Sequence, residues 1–126
     1  MEPTTTKIRS YKELLVWQKG LSLVKLVYKV TKEFPADERF GLVSQMRRAS
    51  VSIPSNLAEG QSRRTTGEFL QFISQAEGSL AELETQMIIS TELGFVNPDN
   101  AQPLLVVIEE LQKMLNSLRT KLATRH

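Results

Sequence analysis

Catalysis in water needs a nucleophile with a base beside it, a pair of acids and bases, or a set of metal ligands, and this chain offers few such groups. It has no Cys, and its single His is the terminal residue His126, where chain ends fray. Glu77, Glu82 and Glu84 cluster on one segment. No Glu-x-x-His pair accompanies them, as a di-iron bundle would require, and no Gly-rich phosphate loop is present. A solvated or salt-bridged face is the expected role of these carboxylates, and no catalytic residue, cofactor site or metal site is expected.

The remaining chemistry is cationic. Residues 1–64 carry 12 Lys and Arg against 6 Asp and Glu, a balance of +6, whereas residues 65–126 carry 4 against 8, a balance of −4. Such halves can neutralise each other within one fold, attract another copy, or present a basic face to a polyanion. Lys25, Lys29 and Lys32 share a helical face at 4,3 spacing, Arg47 points away from the apolar stripe of its segment, and Arg63-Arg64 occupy a polar loop. No exposed aromatics are expected between them, so any nucleic-acid contact would be mainly to phosphates.

Four amphipathic segments must position these groups. In the first, Ser10 and Glu13 have capping-box spacing, and two neighbouring stripes follow: Leu14, Trp17, Leu21, Val24 and Tyr28, then Leu23, Val27, Val30 and Phe34. Together they suit a bundle interior with surface left over for a partner. Phe34-Pro35 ends the segment, because a residue before proline is pushed out of α geometry.

The second segment buries Leu42, Met46, Ala49, Ile53 and Leu57, with a kink expected at Pro54 and Gly60 as its C-terminal cap. Gln45, Arg48, Ser52, Asn56 and Glu59 fall in a polar strip beside that stripe. A polar group left buried and unpaired costs about 1–3 kcal/mol. An inter-helix network is therefore expected, with Arg48 on a carboxylate of the third segment and Asn56 on carbonyls freed by Pro54; a ligand or partner site is the alternative.

The third segment opens with a Thr65/Glu68 capping box, buries Phe69, Ile73, Ala76, Leu80, Leu83 and Met87, and closes at Gly94. Ser74, Gly78, Ala81 and Thr85 form a small-residue stripe on it. Glycine inside a helix costs about 1 kcal/mol relative to alanine, so another backbone is expected close by, from this bundle or from another subunit. The fourth segment starts at Asn97-Pro98 or at Asn100 and carries Leu104, Ile108, Leu111, Leu115, Leu118 and Leu122.

No strand pattern persists anywhere. The expectation is one all-α domain over residues 1–126, an antiparallel up-down-up-down four-helix bundle with helices at about 10–33, 42–59, 66–93 and 98–123 behind a flexible polar tail, 1–9. No apolar run approaches the ~20 residues of a membrane span. The absence of Cys fits a reducing cytoplasm.

Gln45–Gly60 (QMRRASVSIPSNLAEG), with Trp17, Tyr28, Phe34-Pro35, Phe40-Gly41-Leu42 and the Gly78–Thr85 run GSLAELET, resembles the bacterial four-helix-bundle proteins encoded within intervening sequences of 23S ribosomal RNA genes. The resemblance runs from about Tyr11 to Phe95, with the motifs in order at family spacing; Leu57 stands where isoleucine is common, and the last helix matches only in pattern. It implies an up-down bundle assembled as a ring-like homopentamer. It also implies kinship with the accessory variability determinant of diversity-generating retroelements, a basic pentamer that binds nucleic acid and a reverse transcriptase. The expected function is a non-catalytic, self-assembling adaptor whose oligomer offers a basic surface to RNA or DNA. The alternative is an adaptor for a partner protein alone.

Overall fold

A computed structural model describes residues 10–124. The expected tail at 1–9 and the lone His126 lie outside the described residues. The fold is all-α, with four helices and no strand among the described residues: α1 (Leu15–Thr31), α2 (Ser44–Gln61), α3 (Thr66–Glu92) and α4 (Pro98–Thr124).

The first helix starts later than its capping-box spacing suggests. Ser10 does cap, accepting from Lys12 N at 3.2 Å, but what it caps is a 3₁₀ turn, Tyr11–Glu13. Leu14 is extended and buried, so α-helical geometry begins only at Leu15. The turn is tied down by its aromatic ring: Tyr11 meets Trp17 edge-on with centroids 5.4 Å apart. The two stripes are not equally buried, since Leu14 opens the first as a core residue but its later members do not follow. Leu23 and Val27 are fully buried and Phe34 nearly so, whereas Leu21 and Tyr28 are 36% and 40% exposed. The Leu21–Tyr28 part of the first stripe therefore lies along the margin of the bundle.

Between α1 and α2 the chain makes a 3₁₀ turn, Ala36–Glu38, and an irregular π-like turn, Arg39–Val43. Gly41 leaves helical geometry at φ −104, ψ −112, and the Glu38 carboxylate accepts from Leu42 N at 3.3 Å. α2 then runs unbroken through Pro54, whose ring faces α1 at Gly20. A Cβ on Gly20 would lie 3.4 Å from that ring, at the near edge of ordinary contact, so the two helices pass close to each other there.

Gly60 is not the cap that its position suggests. α2 continues to Gln61, Gly60 is buried inside it, and the only positive-φ residue described is Gly94, at +81 beyond the end of α3. What Gly60 provides is room. An added Cβ would sit 2.6 Å from the Phe72 Cβ and 2.9 Å from the Phe69 Cδ1.

The helix starts at α3 and α4 follow local chemistry closely. Thr65 Oγ1 accepts from Glu68 N at 3.1 Å while Glu68 Oε1 accepts from Thr65 N at 3.3 Å. At α4 the first of the two candidate starts is used, with Asn97 Oδ1 accepting from Asp99 N at 2.7 Å. Each helix packs on two others: α1 and α3 each lie against both α2 and α4. Their shared interior is built from Leu23, Met46, Ile53, Leu57, Ile73, Leu80, Leu83, Met87, Leu104, Ile108, Leu111 and Leu115, all essentially inaccessible to solvent.

Candidate functional site

The C-terminal turn of α1, the Arg39–Val43 turn and the N-terminal half of α2 enclose an open groove of about 730 Å³. Its floor is apolar, from Val43 and Val51, and its walls carry Tyr28, Arg39, Phe40, Arg47 and Arg48. Phe40 is 88% exposed, the largest exposure of any large apolar side chain described. It directly precedes Gly41, where the backbone leaves helical geometry. A ring left in water forgoes about 1.5–3 kcal/mol of burial, so Phe40 is a candidate for contact with something outside the chain.

Arg47 is held in place. Its guanidinium sits 4.4 Å from the centroid of the Tyr28 ring, and Nε donates to Thr31 Oγ1 at 3.0 Å; that hydroxyl in turn donates to the Val27 carbonyl at 2.7 Å. Arg47 thus folds back onto α1, where helical phase alone had it pointing away. Such a cation–π contact is worth about 0.5–1 kcal/mol at a partly exposed site and fixes the orientation of the planar group. Arg39 and Arg48 make no hydrogen bond or ion pair among the described residues. Arg48 therefore does not find the α3 carboxylate expected for it; it points out at the groove instead.

The other predicted cations fall into two groups. Lys25 and Lys29 of α1 and Lys32 just beyond its end are exposed and without ion-pair partners among the described residues. Arg63 and Arg64 lie beyond the far end of α2, about 24 Å from Arg47 along the helix axis at ~1.5 Å per residue. Arg63 is already engaged, by Glu59 at 2.9 Å and by the Phe72 ring at 4.8 Å. The six predicted residues do not form one patch.

The polar strip of α2 lies along α3 but builds only a sparse network. The Ser52 and Ser79 hydroxyls are hydrogen-bonded at 2.6 Å, and Gln86 Nε2 donates to Glu82 at 3.2 Å and, weakly, to Gln45 at 3.5 Å. Asn56 donates to the Ser52 carbonyl, one turn back on its own helix, rather than to the carbonyl of Ser50 that Pro54 frees. Glu59 pairs with Arg63.

The small-residue stripe faces away from the bundle. Ser74, Gly78, Ala81 and Thr85 are all exposed, and a Cβ on Gly78 would meet nothing within 4 Å. At Gly78 no other element among the described residues comes that close, while Ser74 at the start of the stripe accepts from Arg119 of α4 at 2.8 Å. Ile88 and Ile89, also exposed, continue the same outer surface of α3.

Among the described residues no group of three or more His, Cys, Asp or Glu could hold a metal ion, and no helix is long and apolar enough to cross a membrane. The α3 carboxylates are distributed as structural partners: Glu77 binds Arg119, Glu84 accepts from Gln112 at 3.2 Å, and Glu82 accepts from Gln86.

Sequence reasoning missed Arg39 and missed Phe40 as a site residue, and it expected no exposed aromatics among the cations. The available signal was the Arg39-Phe40 pair itself, an aromatic outside any apolar stripe in the connection between two helices.

Comparison with known proteins agrees with this architecture. A crystal structure of a protein of unknown function from the S23 ribosomal protein family of Bacteroides thetaiotaomicron VPI-5482 superposes with a TM-score of 0.78 at 18% identity, covering 84% of this chain and 96% of that one. At that identity the likeness shows the fold alone. No curated protein sequence matches. The model of the 23S rRNA-intervening sequence protein family matches residues 12–117, nearly the whole described bundle, and the chain belongs to that family.

Proposed function

We propose that this protein is a non-catalytic, self-assembling bundle that binds nucleic acid through phosphate contacts at the α1–α2 groove. The four helices form a single up-down-up-down antiparallel unit in a cytoplasmic setting. Cross-helix pairs support that direction: Arg119 reaches Ser74 while Gln112 reaches Glu84, and Arg47 reaches Thr31 while Pro54 meets Gly20. In both cases later residues on one helix pair with earlier residues on the other.

The observation that carries the functional reading is the groove, where two unpaired arginines flank a third that is pre-oriented on Tyr28. Guanidinium groups suit phosphate recognition, and one fixed in advance loses less entropy on binding. Reversing Arg39 and Arg48 to Glu should raise the dissociation constant for a labelled RNA or DNA oligonucleotide at low salt by tenfold or more. It should also flatten the salt slope by about one for each lost phosphate contact. Reversing Arg63 and Arg64 should do much less. Affinity that is unchanged in the first variant, or independent of salt, would remove the phosphate-contact reading.

Self-assembly, as a homopentamer by family resemblance, finds support in the outer face of α3, a low-relief surface of Ser74, Gly78, Ala81 and Thr85 ending in exposed Ile88 and Ile89. A ring multiplies a modest charge per subunit by its copy number, which raises avidity for a polyanion. Native mass spectrometry should return a mass several times that of the 14.3 kDa chain. A monomer at micromolar concentration would end the assembly claim.

A further inference from the structure

We infer that the groove is built for single strands: Phe40 is a stacking platform for an unpaired base, with Arg39 and Arg48 on the adjoining phosphates. This rests on the nucleic-acid reading above and narrows it to one class of ligand.

A cationic surface meant for a duplex needs only charge and shape, because the bases of a duplex are stacked on one another and offer no free face. This groove holds more than charge. Phe40 is almost wholly exposed, on a turn whose backbone leaves helical geometry at the next residue. Tyr28 is 40% exposed, and its ring carries the Arg47 guanidinium, a second flat surface of the kind on which bases stack. Val43 and Val51 supply an apolar floor beneath. Aromatic rings, guanidinium planes and unpaired cations around one open groove are the combination that recognises unstacked bases and their backbone together. The two exposed rings line the same groove as three arginines, so charge complementarity favours a polyanion over an apolar partner.

Fluorescence anisotropy at low salt with the full-length protein distinguishes the possibilities, using a labelled oligothymidylate and a mixed-sequence duplex of equal length. The single strand should bind at least tenfold tighter. Phe40→Ala should weaken that binding by roughly five- to a hundredfold, the range spanned by one base stacked on an aromatic ring, while moving duplex binding by less than about twofold. Phe40→Trp should restore it and Phe40→Leu should not, since leucine keeps the apolar bulk and lacks the π face. Because Phe40 makes no core contact, circular dichroism and the melting temperature of these variants should be unchanged.

Equal affinity for single strand and duplex, with Phe40→Ala without effect, would overturn the stacking assignment and leave phosphate binding standing. A lower native mass in Phe40→Ala would overturn it differently, by assigning Phe40 to a contact between copies. If neither probe binds at any salt concentration, the underlying nucleic-acid reading fails and the stacking assignment falls with it.

Discussion

Gly60→Ala is expected to destabilise the bundle by about 3 kcal/mol, the upper end of what overpacking costs. Two effects oppose each other in this substitution. Alanine favours a helix interior over glycine by about 1 kcal/mol, which taken alone would stabilise α2. Against it, the new methyl would stand 2.6 Å from the Phe72 Cβ, where carbon atoms prefer about 3.5–4.0 Å. A Cβ is fixed by its own backbone, so no rotamer change relieves the contact and α2 must move away from α3. The clash wins, and the melting temperature should fall by about 10 °C. Gly78→Ala is the matching control: its Cβ would meet nothing within 4 Å, so only the helix-propensity gain remains, and stability should rise by up to about 1 kcal/mol. Thermal melts of both variants, with native mass followed alongside, decide the matter. A stabilised Gly60→Ala protein would contradict the close α2–α3 approach.

Leu23→Ala should be as damaging, at about 2–5 kcal/mol, because Leu23 is fully buried and the neighbouring helices can only partly close the cavity. That is a large share of the ~5–15 kcal/mol that holds a domain of this kind together. Leu21→Ala, two residues earlier on the same helix, should cost about 1 kcal/mol, since 36% of Leu21 already faces solvent and its removal leaves no enclosed void. Urea unfolding of the pair measures the difference directly. Similar losses from both would mean that Leu21 is core after all.

The contrast between Leu21 and Leu23 shows where sequence pattern stops being informative. Spacing at three and four residues identifies two apolar stripes on α1, and both are present in the folded helix. Spacing does not say which stripe meets the other helices, because that angle is chosen by packing. Arg47 is a similar case. Its phase on α2 directs it away from the core, yet a long side chain next to α1 gains a ring and a hydroxyl by folding back.

The four helices, the Thr65 capping box and the Gly94 terminus are consequences of local chemistry, so the chain's own residues determined them. The motifs from Gln45 to Gly60 and from Gly78 to Thr85 also sufficed for the family. Only the tertiary structure decided the rest: that Gly60 admits Phe69 and Phe72 instead of capping, that Gly78 faces outward, that Arg63-Arg64 lie far from the groove, and that Phe40 stands beside three arginines. Helical periodicity specifies directions around one axis. Which atoms meet across two axes depends on how far each helix slides and turns against its neighbours, and that is settled when the four apolar faces close on one another.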